Sequence, residues 1–228
     1  MTRLPLASTG LGFVAGYVDT ICFVALFGLF TAHVTGNFVL IGAELARPGH
    51  GVLLKLLAFP AFIAGIALAR ALVLLAKARG HGLATPLLVL QGLLLAACLG
   101  FGWRAAPFTD PETPAALATG LFAAAAMGVQ NAAGRLAWPT LSPTTVMTGN
   151  VTQLVIDAID LLRGSTDDGL RPRVRKFFWP VVAFGVGAIA GGFAYVYAGM
   201  AALLLPLAII AALVASGALD DPGGTTAP

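Results

Sequence analysis

The chain has 228 residues, 58% of them hydrophobic and only 10% charged, with a net charge of +3. A soluble domain is about 45–50% apolar and about 25% charged. A soluble fold of this size could not cover its surface with so few charges, which excludes a typical cytosolic enzyme, a disordered chain and a coiled coil and leaves an all-α, polytopic membrane bundle. The basic residues are scattered or sit in loops rather than on one face, so no nucleic-acid partner is expected.

Eight apolar stretches follow one another, over about 10–30, 36–46, 53–76, 84–102, 115–134, 146–162, 177–197 and 200–217. Six are long enough, or nearly so, to cross a hydrocarbon core, which takes ~17–25 helical residues. The stretch 36–46 reaches only roughly 17 Å as a helix, and 146–162 opens on the polar Thr148-Gly149-Asn150. Both read as short re-entrant or buried segments. Arg3 before an apolar run imitates a signal peptide, but similar runs follow and no cleavage site ends the first. The connections carry the breakers: Arg47-Pro48-Gly49-His50-Gly51, Arg79-Gly80-His81-Gly82, three prolines within 103–114, and the hydrophilic stretch 163–176. The tail, about 220–228, is expected to be disordered. Trp103, Trp138, Trp179, Tyr195 and Tyr197 stand at run ends, where amphipathic rings anchor at the headgroup level. Cys22 and Cys98 read as small buried hydrophobes. His33, His50 and His81 are dispersed, so no metal site, cofactor or catalytic histidine is expected.

An internal repeat organises the single membrane domain, 1–228. Thr35-Gly36-Asn37 recurs as Thr148-Gly149-Asn150, 113 positions later, and each is followed by an acid seven residues on, Glu44 and Asp157. Upstream, Gly16-Tyr17-Val18-Asp19 pairs with Gly128-Val129-Gln130-Asn131; downstream, Phe59-Pro60 pairs with Trp179-Pro180. The halves, about 10–103 and 115–218, each hold a long span, a short segment opening with Thr-Gly-Asn, and two more spans. If the short segment crosses, the halves are parallel; if it is re-entrant, they are inverted. With the N-terminus cytoplasmic, the inverted arrangement places ten Lys/Arg inside against three outside, and the parallel one nine against four. Lys and Arg favour the cytoplasmic side. That bias and the shortness of 36–46 favour inverted repeats, with loop 163–176 cytoplasmic in either case.

Polar groups inside a membrane cost a few kcal/mol or more per charge at its centre, so they are the candidate site. Asp19 is placed near the middle of the first span, and its counterpart Asn131 deep in the fifth run beside Gln130. Thr35, Gly36 and Asn37, with Thr148, Gly149 and Asn150, supply an N-cap, a glycine for close approach and an amide that both donates and accepts. A helix starting at each Thr would aim free N–H groups into the protein. Such half-helix ends at matched repeat positions point to a substrate site near the midplane, where the two motifs meet. The alternative is that small and amide residues only pack helices together. For Asp19 the alternative is a structural acid paired with Arg70 or bonded to Tyr17 or Thr20. Glu44 and Asp157 are secondary, with interfacial solvation expected. Arg70, with Ala190 at the aligned position, either snorkels or pairs with an acid. Gly185, Gly187, Gly191 and Gly192 suggest a packing face.

Gly16-Tyr17-Val18-Asp19-Thr20, Phe30-Thr31-Ala32-His33-Val34-Thr35-Gly36-Asn37, Gly128-Val129-Gln130-Asn131-Ala132, Arg135 and Thr144-Thr145-Val146-Met147-Thr148-Gly149-Asn150 together resemble the YoaK-like family of bacterial integral membrane proteins, a family of unknown function numbered 1275. The resemblance spans about 10–217. It implies a multi-pass inner-membrane protein of about six spans and brings no substrate or mechanism. Two functions are expected from the residues. One is a small-solute transporter or permease acting on an unidentified solute or ion, with Asp19 as the coupling or ion-binding acid. The other is a non-transporting sensor or assembly partner that binds a protein through loop 163–176 or the Gly-rich seventh run. An enzyme is not expected, since no nucleophile set, phosphate loop or zinc motif stands in the sequence.

Overall fold

A computed structural model describes residues 3–47, 51–165, 167–217 and 219. The expected tail at 220–228 and part of the 47–51 breaker lie outside them. The described chain is helical: α1 (Arg3–Ala25), α2 (Gly36–Ala46), α3 (Val52–Ala78), α4 (Ala84–Ala105), α5 (Pro114–Leu136), α6 (Met147–Leu162), α7 (Leu170–Ala198), a short 3-10 turn (Gly199–Leu203) and α8 (Leu204–Ser216). Five stretches are long and apolar enough to cross a membrane: Leu6–Ala25, Val52–Ala78, Ala84–Ala105, Pro114–Leu136 and the continuous Leu170–Ser216.

The first helix ends five residues before its apolar run does. Phe27 and Gly28 both take positive φ, and Gly28 N donates back to Phe23 O at 2.9 Å. This left-handed termination satisfies the end carbonyls and releases residues 26–35 as a non-helical connection of turns and bends. Apolarity marked the run as buried; the backbone turn inside it was invisible to hydropathy.

The centre of the bundle is α1 and α5. Of their apolar spans 67% is buried, against 28–33% for the others. Their spans are also the least apolar of the five, because membrane helices that meet mostly protein gain from small residues and close approach. The contacts fix directions. Gln130 bonds to Leu11 and Gly120 meets Leu26 and Leu29, so α1 and α5 run antiparallel. Gly12 meets Pro180 and Gly191 meets Tyr17, so α1 and α7 run parallel. Leu54 meets Gly120 and Phe62 meets Gly128, so α3 and α5 run parallel as well. Gly102 meets Met200 and Gly92 meets Ile210, placing α8 antiparallel to α4; α4 is in turn antiparallel to α5, through Gly102 on Thr119 and Gln91 on Gln130.

The two most extensive helix contacts, α1 with α7 and α3 with α5, use one scheme. Gly16 lies on the Phe184 carbonyl and Gly187 on the Phe13 carbonyl; Gly128 lies on the Phe62 carbonyl and Gly65 on the Ala125 carbonyl. Of the expected glycine face on the seventh run, Gly187 and Gly191 are thus taken up by α1, while Gly185 has nothing within 4 Å. Trp103, Trp179 and Tyr197 are exposed, as interface anchors require. Trp138 is not an anchor: it is buried and its indole N–H donates to Leu219 O at 3.3 Å. Cys22 and Cys98 are free and buried, as small hydrophobes would be.

Candidate functional site

Asp19 lies in the last third of α1, not at its middle, and faces the connection that leaves it. Its Oδ1 accepts from Thr31 N and Ala32 N, both at 2.7 Å, and from the Thr31 hydroxyl at 3.3 Å. Its Oδ2 lies 2.8 Å from His33 Nδ1. Neither Arg70, which is exposed on α3, nor Tyr17 or Thr20 is its recorded partner. A carboxylate 4% exposed is tolerable there because charge-assisted hydrogen bonds replace its hydration. The hydrogen bond to Asp19 holds the His33 imidazole above its ordinary pKa, against the opposing pull of burial. His33 is therefore part of the cluster, although its isolation in the sequence argued against a role.

The positions that the sequence pairs with this cluster, Gln130 and Asn131, carry neutral groups. Asn131 Nδ2 donates to the Thr145 hydroxyl at 2.6 Å. Gln130 Nε2 donates to Leu11 O at 2.8 Å and to the Thr144 hydroxyl at 3.0 Å, while its Oε1 accepts from Gln91 at 2.7 Å. Gln91 escaped sequence reasoning because it stands alone in an apolar run. Beside Gln130 and Asn131 opens a cavity of about 480 Å3, whose polar lining also includes Thr144, Thr145, Arg135 and Lys176. A second cavity of about 460 Å3, near Trp103, Tyr195 and Met200, is mostly apolar.

The Thr-Gly-Asn motifs do something other than line a shared site. Thr35 stands at the N-cap of α2 but makes no side-chain cap bond, and Thr148 is already inside α6, which starts at Met147. Both threonines are exposed, as is Gly149. Gly36 leaves room for the Phe30 ring, 3.0 Å from where a Cβ would stand. Asn37 is fully buried and clamps the residue seven positions upstream: Phe30 N donates to its Oδ1 at 2.9 Å and its Nδ2 donates to Phe30 O at 2.8 Å. Asn150 repeats half of this, donating to Pro143 O at 2.6 Å; proline has no N–H to return. The motif is a staple for the connection ahead of each short helix. Asn37→Ala would strand two backbone groups of the half-buried Phe30, at up to roughly 1–3 kcal/mol each, and Asn150→Ala only one, at the exposed Pro143. Thermal unfolding in detergent should show the larger loss for Asn37→Ala; equal losses would contradict the clamp.

The two motifs do not meet. Among the described residues α2 touches only α3 and α6 only α7. The polar clusters are also staggered. Leu11, level with Gln130, precedes Asp19 by eight residues, or roughly 12 Å at about 1.5 Å per residue. A single midplane site formed by both motifs is therefore replaced by two clusters displaced along the bundle axis.

Glu44 and Asp157 are ion-paired rather than solvated at an interface. Lys55, fully buried in the first turn of α3, donates to Glu44 Oε1 and to Phe27 O, both at 2.7 Å. Arg173, in the first turn of α7, grips Asp157 with Nε at 2.9 Å and a second nitrogen at 3.0 Å, and Gln153 adds a third bond at 2.9 Å. Arg173 holds the Asp157 carboxyl below its usual range. Each pair ties a short helix to the long helix that follows it. The cations were not legible because they lie beyond breakers at unequal distances from their acids.

The family model for a protein of unknown function, DUF1275, matches residues 7–216. No curated protein and no solved structure matches the chain. The chain belongs to the DUF1275 family, as the resemblance of its motifs implied.

Proposed function

We propose that this member of the DUF1275 family is a small-solute permease of the plasma membrane, not an enzyme, built from two inverted three-span halves. The observation that carries the reading is the cavity beside Gln130 and Asn131, set along the bundle axis from the buried Asp19–His33 pair. Buried polar groups and a cavity at broken helices are what a path through a bilayer requires.

The helix directions support the halves. α1, α4 and α7 run one way and α3, α5 and α8 the other, so the chain crosses six times if Leu170–Ser216 is a hairpin about the 3-10 turn. α2 and α6 then stay on the side they enter, and the second half begins in the opposite sense to the first. The matched glycine contacts, the Asn37 and Asn150 staples and the Glu44–Lys55 and Asp157–Arg173 pairs support the same correspondence. With the N-terminus inside, ten of the thirteen Lys and Arg lie on the cytoplasmic side, as the positive-inside bias demands.

Asp19 and His33 are the groups that carry a proton or a coupling cation. In Asp19→Asn the amide oxygen still accepts from Thr31 N and Ala32 N, so the connection keeps its shape while the charge is lost. Reconstituted in proteoliposomes under an inward proton gradient and screened across labelled metabolites, the wild type should accumulate a solute. Asp19→Asn should lower that accumulation at least tenfold with unchanged thermal stability. Accumulation at the wild-type level in Asp19→Asn would remove Asp19 from the mechanism, and none by the wild type for any metabolite class would remove the permease reading. The sensor or assembly alternative is weaker, because Gly187 and Gly191 are already covered by α1 and Arg173 by Asp157.

A further inference from the structure

The two halves treat the same place in opposite ways. In the first, the α1–α2 connection holds an anion of its own: the Asp19 carboxylate, gripped by Thr31 N, Ala32 N and the Thr31 hydroxyl. In the second, the acid's counterpart is the neutral Asn131, and an open cavity stands beside it. The counterparts of Thr31 and Ala32 are Thr144 and Thr145, both lining that cavity and more than nine-tenths buried.

The hydrogen-bond directions matter here. The Thr144 oxygen accepts from Gln130 Nε2 and the Thr145 oxygen accepts from Asn131 Nδ2. Each hydroxyl therefore has its own proton left to give, and among the described residues neither proton has a recorded acceptor. Two cations join them in the lining, Arg135 and Lys176, and no acid does. Neither cation is in an ion pair among the described residues. In the first half Phe23 occupies the position of Arg135 and Leu54 or Leu56 that of Lys176, so the positive charge belongs to the second half alone. α6 begins at Met147, one residue past the cavity-lining Val146, and its first N–H groups have no intrahelical acceptor.

We propose that this cavity binds a small oxyanion, a phosphate or carboxylate group, where the first half holds its own carboxylate, with Arg135 and Lys176 supplying charge and the Thr144 and Thr145 hydroxyls donating to it. The inference deepens the permease reading by naming the substrate class, and rests on it for the correspondence of the halves. The binding itself does not require transport. The same chemistry is offered by a free anion and by the headgroup of an anionic lipid.

The full chain in nanodiscs of phosphatidylcholine alone is titrated with radiolabelled inorganic phosphate and with acetate at low ionic strength. A parallel set of nanodiscs contains phosphatidylglycerol at a defined fraction, and the lipid retained by the protein is quantified after delipidation. Saturable binding of phosphate or acetate in the neutral discs assigns the site to a free anion; selective retention of phosphatidylglycerol without it assigns the site to a headgroup. In either case Arg135→Gln with Lys176→Gln should weaken binding at least tenfold. Thr145→Val should weaken it severalfold and Thr145→Ser should restore it. Arg79→Gln, on the same side of the bundle but outside the cavity, should leave it unchanged. Absence of both kinds of binding, or binding that falls equally with Arg79→Gln, would overturn the proposal. Anion binding without uptake in proteoliposomes would leave this site standing and remove the permease reading; uptake of a solute unaffected by the Arg135 and Lys176 substitutions would do the reverse.

Discussion

Glu44→Gln is expected to destabilise the protein by about 3–5 kcal/mol, the cost of breaking a buried ion pair from one side. Lys55 is fully buried, so without the Glu44 charge its ammonium keeps only neutral acceptors, the Phe27 carbonyl and an amide oxygen. The Glu44 side chain is 19% exposed against 1% for Lys55, so the carboxylate left behind by Lys55→Met can turn towards water, and that variant should cost less. In the second half the buried member is the acid: the Asp157 side chain is 1% exposed and that of Arg173 42%. The order should therefore reverse, with Arg173→Gln costing more than Asp157→Asn. Thermal unfolding of the four single variants in one detergent checks this. Removing both partners of the first pair, as Glu44→Met with Lys55→Met, should recover most of the loss, since Glu44 Oε2 has no partner even in the wild type and imperfectly satisfied pairs are readily replaced by apolar packing. A double variant as unstable as Glu44→Gln would mean that the pair itself holds α2 against α3 and that the loss is not the cost of a stranded charge.

Much of this architecture is legible in the sequence because membrane helices announce themselves by length and apolarity, and because the polar exceptions within them, such as Thr35-Gly36-Asn37 and Thr148-Gly149-Asn150, stand out against the apolar runs. The eight apolar stretches became the eight α-helices, and Asp19, Asn131, Asn37 and Asn150 are all engaged in polar contacts. What the sequence hid is direction. A Thr-Gly-Asn at the head of an apolar run suggests a helix end aimed at a ligand, yet Thr35 makes no side-chain cap bond, and Asn37 turns back to Phe30 instead. Side-chain bonds to backbone seven residues away depend on how residues 26–35 turn, and that turn begins at a positive-φ phenylalanine which no propensity argument selects. The same turn brings His33 to Asp19, so the histidine that composition dismissed as dispersed was fourteen residues from its partner and at the wrong spacing for any helical pattern. The matched positions Thr31-Ala32 and Thr144-Thr145 were the available signal, because both follow the Asp19 and Asn131 positions at nearly the same distance.

The second large effect is expected where the helices touch backbone to backbone. Gly16→Ala would set a methyl group against the Phe184 carbonyl, and Gly128→Ala against that of Phe62. No side-chain rotation relieves such a contact, so α1 must move away from α7, or α5 from α3, along the longest interfaces in the protein. Overpacking in a tight core costs typically 1–3 kcal/mol and occasionally more, and a rigid carbonyl places these substitutions at the upper end or beyond it. Gly100 and Gly134, helical but with nothing within 4 Å, provide the contrast: alanine there should be neutral or stabilising, since glycine is about 0.8–1 kcal/mol the worse helix former. Fluorescence-detected gel filtration after heating should place Gly16→Ala and Gly128→Ala well below the wild type and Gly100→Ala at or above it. Because Gly16 and Gly187 set one helix separation from its two sides, the double variant Gly16→Ala with Gly187→Ala should lose less than the sum of the single losses. Full additivity would show that each glycine serves a separate contact. Similar losses at Gly16 and Gly128 are what two equivalent halves require, and would make α1 with α7 and α3 with α5 the rigid pairs between which the Asp19 cluster and the Asn131 cavity are held.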